Sequence, residues 1–241
     1  MERDSLNISS IVPAYETGPD NRMHCHWLMC RMQEAATAHA DREGFGIEYM
    51  AGLNCFWVLT SMRIELKELP EREKLFSLTT WSQGAKRLRA FRDFLGCDEN
   101  GCEIIKASSE WMVLDSQTRK PINVDDRINL VAKDETVFTD KIKRLRPGIP
   151  VKELRTLNVP YSSLDANGHV NNTEYLRWSI DTLRNQGLAP DKISSIRIGF
   201  LSEVFEGDTI KIMDCNAENG GFEIVGFNET KDRAAFALEV Q

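Results

Sequence analysis

The chain has 241 residues, with 37 acidic against 30 basic side chains and a formal net charge of −7. That balance excludes nucleic-acid binding through a global positive field, and any acidic partner needs a local basic patch. Apolar residues at 41% and charged residues at 28% describe a globular protein, and no apolar run approaches the ~20 residues of a membrane helix.

The length suits one large domain or two small ones. The start, Met1-Glu2-Arg3-Asp4, carries acids and lacks an apolar h-region, so no secretory signal is expected. The six cysteines (Cys25, Cys30, Cys55, Cys97, Cys102 and Cys215) form no Cys-x-x-Cys, and reduced cytoplasmic thiols are the expectation.

Residues 1–22 read as a strand and loop broken by Pro13, Gly18 and Pro19. Residues 23–43 are helical in pattern: Trp27, Leu28, Met32, Ala35, Ala36 and His39 recur at 3–4 spacing, and Gly44 and Gly46 supply the stop. Strands follow. Phe56, Val58, Thr60, Met62, Ile64 and Leu66 alternate with Trp57, Leu59, Ser61, Arg63 and Glu65, predicting one long strand with one apolar face. Residues 75–82, 86–97 and 102–115 are further strands, with a hairpin turn at Asp98-Glu99-Asn100-Gly101. One long helix followed by antiparallel strands is an α+β pattern. Residues 116–126 are polar, residues 127–138 are a candidate short helix, and residues 141–150 read as a basic linker held extended by proline.

The second half repeats the plan. A short segment at 158–164 leads into a helix from about residue 172 to 185, ended by Gly187 and Pro190. Strands are expected at 196–205, 209–215, 222–228 and 234–240, with turns at 206–208, 218–221 and 231–233. A repeat longer than ~100 residues indicates a duplicated domain rather than a solenoid. Residues 1–138 and 157–241 are the two expected domains, joined by residues 139–156.

Only the second copy carries a cluster with chemistry. Asp165, Asn167 and His169 stand at alternate positions, broken by Gly168, just before the helix. A carboxylate, an amide and an imidazole at a helix N-terminus suit a reaction that builds an oxyanion. Each residue also has an ordinary reading: an Asp or Asn before a helix commonly caps it, and Asn-Gly is commonly a turn. His24-Cys25-His26 with Cys30 has no standard metal-ligand spacing, so no metal site is expected. The aromatic and Met residues of the first half (Trp27, Met32, Phe56, Trp57, Met62, Trp81, Phe91) are mostly core candidates. Two basic clusters stand out: Lys86, Arg87, Arg89 and Arg92, and Lys141, Lys143, Arg144 and Arg146.

The run Asp165-x-Asn167-x-His169-Val170-Asn171-Asn172-x-x-Tyr175-x-x-Trp178 resembles the second-domain motif of the acyl-acyl-carrier-protein thioesterases, which are double-hotdog proteins. Trp81-Ser82-Gln83-Gly84, Arg89, Arg92-Asp93-Phe94 and Ala107-Ser108-Ser109-Glu110-Trp111 resemble that family's first domain, so the likeness covers most of the chain. The resemblance implies a tandem hotdog fold, each half a long helix wrapped by a curved antiparallel sheet. It implies hydrolysis of fatty acyl-acyl-carrier-protein thioesters without metal or cofactor, and an acyl-chain pocket in the first domain. It also implies that Glu203, on the strand after the motif helix, completes the site. Members often carry a cysteine after that Glu; here Val204 stands there, which weakens any cysteine-nucleophile mechanism.

On this reading Asp165 is the nucleophile or general base, and Asn167 orients the attacking group or donates to the carbonyl oxygen. His169 holds Asp165 or passes a proton, and Glu203 activates water. Backbone N–H groups from Val170 to Asn172 are candidate oxyanion donors. The basic clusters are candidates for docking the acidic carrier. No membrane partner is expected, and the duplication allows either a monomeric pseudo-dimer or a homodimer. The alternatives are a coenzyme A thioesterase on the same fold, an acyl-binding or acyl-transfer protein that does not hydrolyse, and a related hydratase.

Overall fold

A computed structural model describes residues 5–124, 128, 130–217 and 221–241. The N-terminal acids, Asp125, Asp126, Arg127 and Asn129 in the middle of the chain, and Glu218, Asn219 and Gly220 of the expected turn lie outside the described residues. The chain divides into two compact units, Met1–Ile142 and Lys143–Gln241. Each runs through a strand, a loop with one 3-10 turn, a long helix and then antiparallel strands, which is the tandem hotdog plan.

The first unit contains β1 (Leu6–Ile11), α1 (Cys25–Arg42), the short α2 (Ile47–Gly52), β2 (Cys55–Leu66), β3 (Leu75–Lys86), β4 (Arg89–Cys97), β5 (Glu103–Asp115) and the two-residue β6 (Pro121–Ile122). Its sheet order is β1-β3-β4-β5-β2, antiparallel throughout, with β6 added to β5. Helix α1 packs on β3 and β1. It buries Leu28, Met29, Met32, Ala35, Ala36, His39 and Ala40, the 3–4 spacing of the sequence pattern. Each buried Leu or Met contributes about 1.5–3 kcal/mol over leaving it in water. Trp27 departs from the expected stripe: it is half-buried against the exposed Tyr15, with ring centroids 5.8 Å apart.

Strand β2 does not keep the alternation expected of it. Cys55 and Leu59 are buried at its start, whereas Met62, Ile64 and Leu66 are buried at its end. The pairing with β5 shifts between Leu59 and Ser61. A bulge there inserts one residue, and one residue is enough to exchange the faces of everything beyond it. Thr60 stabilises the irregularity by donating its hydroxyl to the Glu110 carbonyl at 3.0 Å.

Residues 130–140 form no helix; they are a strap bonded to the sheet. Trp81 Nε1 donates to the Glu135 carbonyl at 2.8 Å and Lys133 N–H to the Ser82 carbonyl at 3.0 Å. Arg63 lies 4.0 Å from the Phe138 ring centroid and pairs with Asp140 at 2.9 Å. Asp93 fastens the middle of the strap, accepting from Val137 N–H at 3.0 Å and from Ser108 Oγ at 2.7 Å. Burial raises its carboxyl above the usual range. Its neighbour Arg92 makes different partners. It is buried, its guanidinium pulled down to about 10 by burial, and its Nη1 donates to Thr80 at 3.2 Å and lies 3.0 Å from His39 Nδ1. Arg92 is therefore interior and not part of a surface basic cluster.

The second unit contains β7 (Lys152–Asn158), α3 (Asn172–Arg184), β8 (Ser195–Phe200), β9 (Thr209–Asp214), β10 (Phe222–Asn228) and β11 (Arg233–Val240), in the order β8-β11-β10-β9-β7. Residues 152–156, expected in the linker, are part of β7, paired with β9. Helix α3 packs on β10 and β11, burying Tyr175, Leu176, Trp178, Ser179, Thr182 and Leu183. Gly226 is required by close approach: a Cβ there would lie 1.9 Å from the Phe236 ring. Among the described residues no helix is long and apolar enough to cross a membrane.

Asp93→Ala leaves the Ser108 hydroxyl and the Val137 N–H without their acceptor, at about 1–3 kcal/mol for each buried group left unsatisfied. The urea midpoint is expected to fall accordingly, with a near-parent midpoint counting against the strap as a structural element.

Candidate functional site

The loop that delivers the chain into α3 is built by local hydrogen bonds. The 3-10 turn Tyr161–Ser163 follows Pro160. Asp165 N–H then donates to the His169 carbonyl at 2.7 Å, and Gly168 N–H returns to the Asp165 carbonyl at 3.0 Å. Gly168 adopts φ 76°, the left-handed conformation that glycine takes without steric cost. Asn171 caps the helix: its side chain accepts from Thr173 N–H at 3.0 Å. The capping residue is thus Asn171 and not Asp165.

Asp165 also has structural work. Its Oδ1 accepts from Asn167 N–H at 2.8 Å and from His169 N–H at 3.2 Å. Oδ2 makes no such bond among the described residues. The Asn167 side chain is exposed and unbonded among the described residues.

Glu203 reaches the site from a different place than expected. It stands in the loop beyond β8 rather than on a strand, because Leu201 and Ser202 N–H both turn to the Ala235 carbonyl and end the ladder. Val170 N–H then donates to the Val204 carbonyl at 2.9 Å, tying the two loops together. His169 Nδ1 consequently lies 3.7 Å from Glu203 Oε1, a close approach longer than a hydrogen bond. The structure therefore joins His169 to Glu203 through side chains and Asp165 to His169 through the backbone.

Of the expected oxyanion donors, two are taken. Val170 N–H goes to Val204 and Asn171 N–H to the Ser163 carbonyl at 2.9 Å. Asn172 N–H, the first of the helix, has no acceptor among the described residues.

Sequence reasoning passed over a group around Phe205. Its ring stands edge-to-face with His169, centroids 4.9 Å apart at 82°. Lys231 Nζ lies 3.7 Å from the same ring centroid. The buried Asp208 accepts from Phe205 N–H at 3.0 Å and Asn228 Nδ2 at 2.8 Å, and pairs with Lys231 at 3.1 Å. Burial pushes the Asp208 carboxyl up, but these three donors together hold it below the usual range. Tyr175, in the motif but given no role, is buried. Burial first, then the charges of Asp165, Asp208 and Glu203, raise its hydroxyl far above the usual range.

The first unit contains the same loop without the chemistry. Gly18 N–H donates to the Arg22 carbonyl at 2.9 Å, Asn21 N–H to Gly18 at 3.0 Å and His24 N–H to Glu16 at 2.9 Å. Each counterpart in the second unit lies 147 positions later: 165 against 18, 168 against 21, 171 against 24. Asn21, at φ 60°, takes the place of Gly168. Met23 N–H donates to the Pro70 carbonyl at 2.8 Å, as Val170 does to Val204. Gly18, Asp20 and Arg22 stand where the second unit has Asp165, Asn167 and His169. The first loop closes with its carboxylate at Asp20, whose Oδ1 accepts from Arg22 N–H at 3.1 Å as Asp165 Oδ1 accepts from His169 N–H, and with neither the amide nor the imidazole, so closing the loop does not require Asn167 or His169.

Among the described residues no group of three or more His, Cys, Asp or Glu side chains lies close enough together to hold a metal ion. His24 and His26 stack at 5.5 Å, and burial pushes the Cys25 thiol up to about 12. Burial likewise raises Cys215 to about 11, so neither is poised as a thiolate.

Comparison with known proteins follows the two units. Residues 6–131 match the family model described as the acyl-ACP thioesterase N-terminal domain, and residues 149–236 match its C-terminal domain. Over 96% of its length the chain is 25% identical to an oleoyl-acyl carrier protein thioesterase of Coriandrum sativum. Over 86% it is 24% identical to a palmitoyl-acyl carrier protein thioesterase of Gossypium hirsutum. Both relatives are chloroplastic, and the chain spans 68% and 55% of their respective lengths. An acyl-ACP thioesterase structure from Bacteroides thetaiotaomicron shares the fold at TM-score 0.87 and 24% identity, covering 98% of this chain and 96% of that one. The 12:0-ACP thioesterase of Umbellularia californica shares it at TM-score 0.76 and 19% identity, covering 98% of this chain and 96% of that one.

Because the Asp208 carboxyl is held low in the folded state, its stabilisation is complete above the ordinary carboxylate range and is lost as pH falls through the lowered value. Asp208→Asn is expected to lower Tm at neutral pH, with the gap to the parent narrowing below about pH 4. Thermal melts across that range check it; a gap that does not change with pH contradicts the assignment.

Proposed function

This chain belongs to the acyl-ACP thioesterase family, and from that premise we propose that it hydrolyses fatty acyl thioesters of acyl carrier protein, releasing free fatty acid and carrier thiol. One observation carries the reading: two copies of one loop close with the same backbone bonds, and only the second places Asp165, Asn167 and His169 there, with Glu203 alongside.

That geometry supports the following assignment of roles. Asp165 takes a proton from water through Oδ2 as the water oxygen bonds to the thioester carbon. The carbonyl oxygen gains the charge. The Asn167 amide and the Asn172 N–H are the donors for it, each of the order of 3–4 kcal/mol in the transition state. The C–S bond then breaks and the departing sulfur takes a proton by way of His169. Glu203, 3.7 Å from His169 Nδ1, is the side chain that keeps the ring in place. No cysteine takes part, because Val204 occupies the place next to Glu203 and Cys215 belongs to a packed cluster with Leu145, Val225 and Ala237.

The carrier docks by local attraction. Lys141, Lys143, Arg144 and Arg146 are all exposed, and they are the principal candidate patch. Lys86, Arg87 and Arg89 are a second, from which Arg92 is removed by burial. The unbridged cysteines suit a reducing compartment, and we place the protein in the cytoplasm.

Asp165→Asn and His169→Ala are each expected to lower turnover of an acyl thioester at least ~100-fold with the fold retained. Near-parent turnover in both, in a thiol-release assay, removes the site. Cys215→Ala is expected to keep turnover within about two-fold, since no covalent step passes through it. Loss of turnover with unchanged circular dichroism restores a cysteine route. Reversing Lys143 and Arg144 to Glu is expected to raise KM for carrier-linked substrate about ten-fold and leave coenzyme A thioesters nearly unaffected. An equal effect on both abolishes the docking patch.

A further inference from the structure

We propose that Phe205 is the positioning residue of His169, and that Lys231 and Asp208 hold it in that place. The inference rests on the assignment of His169 to the reaction.

Two contacts fix the ring from opposite partners. His169 meets Phe205 edge-to-face at 4.9 Å, and Lys231 Nζ stands 3.7 Å from the Phe205 centroid. Perpendicular ring pairs and cations over a ring are both arranged by the aromatic quadrupole, so each contact specifies an orientation as well as a distance. One carboxylate oxygen secures both ends: Asp208 Oδ2 takes the Phe205 N–H at 3.0 Å and the Lys231 ammonium at 3.1 Å. Backbone and side chain of residue 205 are thereby tied to the same buried group. Phe205 itself is two residues beyond Glu203, the carboxylate that His169 approaches.

The first unit shows what the position does without a ring. Glu71 follows Pro70 there as Phe205 follows Val204 here, because Pro70 and Val204 accept the equivalent backbone bonds. Glu71 lies 4.0 Å from Arg22, and Glu68 lies 3.2 Å from it. Arg22 occupies the place of His169. In the inactive copy the two side chains are thus closed in an ion-pair cluster. In the second copy an apolar ring takes the contact, and the imidazole has Glu203 as its acidic neighbour.

The test uses the full chain with the best substrate from a panel of acyl carrier protein thioesters, and reads kcat, KM and the ring signals of the four histidines by NMR. His169→Ala identifies the His169 signals and controls the site assignment. Phe205→Leu is expected to lower kcat at least ~10-fold with KM within about two-fold, and to move the His169 signals. Phe205→Tyr, which keeps the ring, is expected to recover kcat to within about three-fold of the parent. Lys231→Met, which keeps Phe205 but removes the cation, is expected to move the same signals less and lower kcat about three-fold. Parent-like kcat in Phe205→Leu, while His169→Ala is inactive, overturns the positioning role alone. Equal losses in the Leu and Tyr variants with unmoved His169 signals also overturn it. Parent-like turnover in His169→Ala overturns the site assignment, and this inference with it.

Discussion

The hydrogen bond from Val170 N–H to the Val204 carbonyl is the constraint on which the candidate site depends. It joins the loop entering α3 to the loop leaving β8, and at 2.9 Å it is an ordinary backbone bond. Its consequence is larger than its own energy. His169 precedes one partner and Glu203 precedes the other, so closing the bond brings an imidazole and a carboxylate from distant parts of the sequence to 3.7 Å. A bond of this kind holds the two side chains in place before any ligand arrives.

The same bond exists in the first unit, between Met23 and Pro70. The two units therefore share a mechanical device and differ in what it carries. In one copy it presents Arg22 to Glu68, closing an ion pair at 3.2 Å. In the other it presents His169 to Glu203 and Phe205. Duplication of a scaffold followed by divergence at a few side chains accounts for this pattern, and the 147-residue offset between the loops is its trace. In the first unit Asp20 Oδ1 closes the turn, accepting from Arg22 N–H at 3.1 Å; Asp165 Oδ1 makes the corresponding bond to His169 N–H, and its Oδ2 makes none among the described residues.

The sequence made the large features legible because they rest on periodicity and local motifs. The two long helices followed from 3–4 spacing, and α1 ends within a residue or two of its expected bounds. The other strands were placed between turn signals such as Asp98-Glu99-Asn100-Gly101, and the site loop by a motif with a specific spacing. What was not legible depends on events that periodicity does not encode. The bulge at Thr60 exchanged the faces of β2. The shared Ala235 carbonyl ended β8 early and put Glu203 in a loop. Arg92, one member of an apparent basic run, turned inward to Thr80 and His39 because its strand alternates faces. Phe205, Lys231 and Asp208 carry no motif; only the fold places an aromatic ring between an imidazole and an ammonium group.

The most direct measurement of the central claim is the paired release of thiol and free fatty acid by the purified chain acting on acyl carrier protein thioesters of varied chain length. Equal molar release of both products, with a preference for one range of chain length, is the result expected of a thioester hydrolase with this site. Binding of the acyl carrier without release of either product, or thiol release with the acyl group passed to another acceptor, would contradict it.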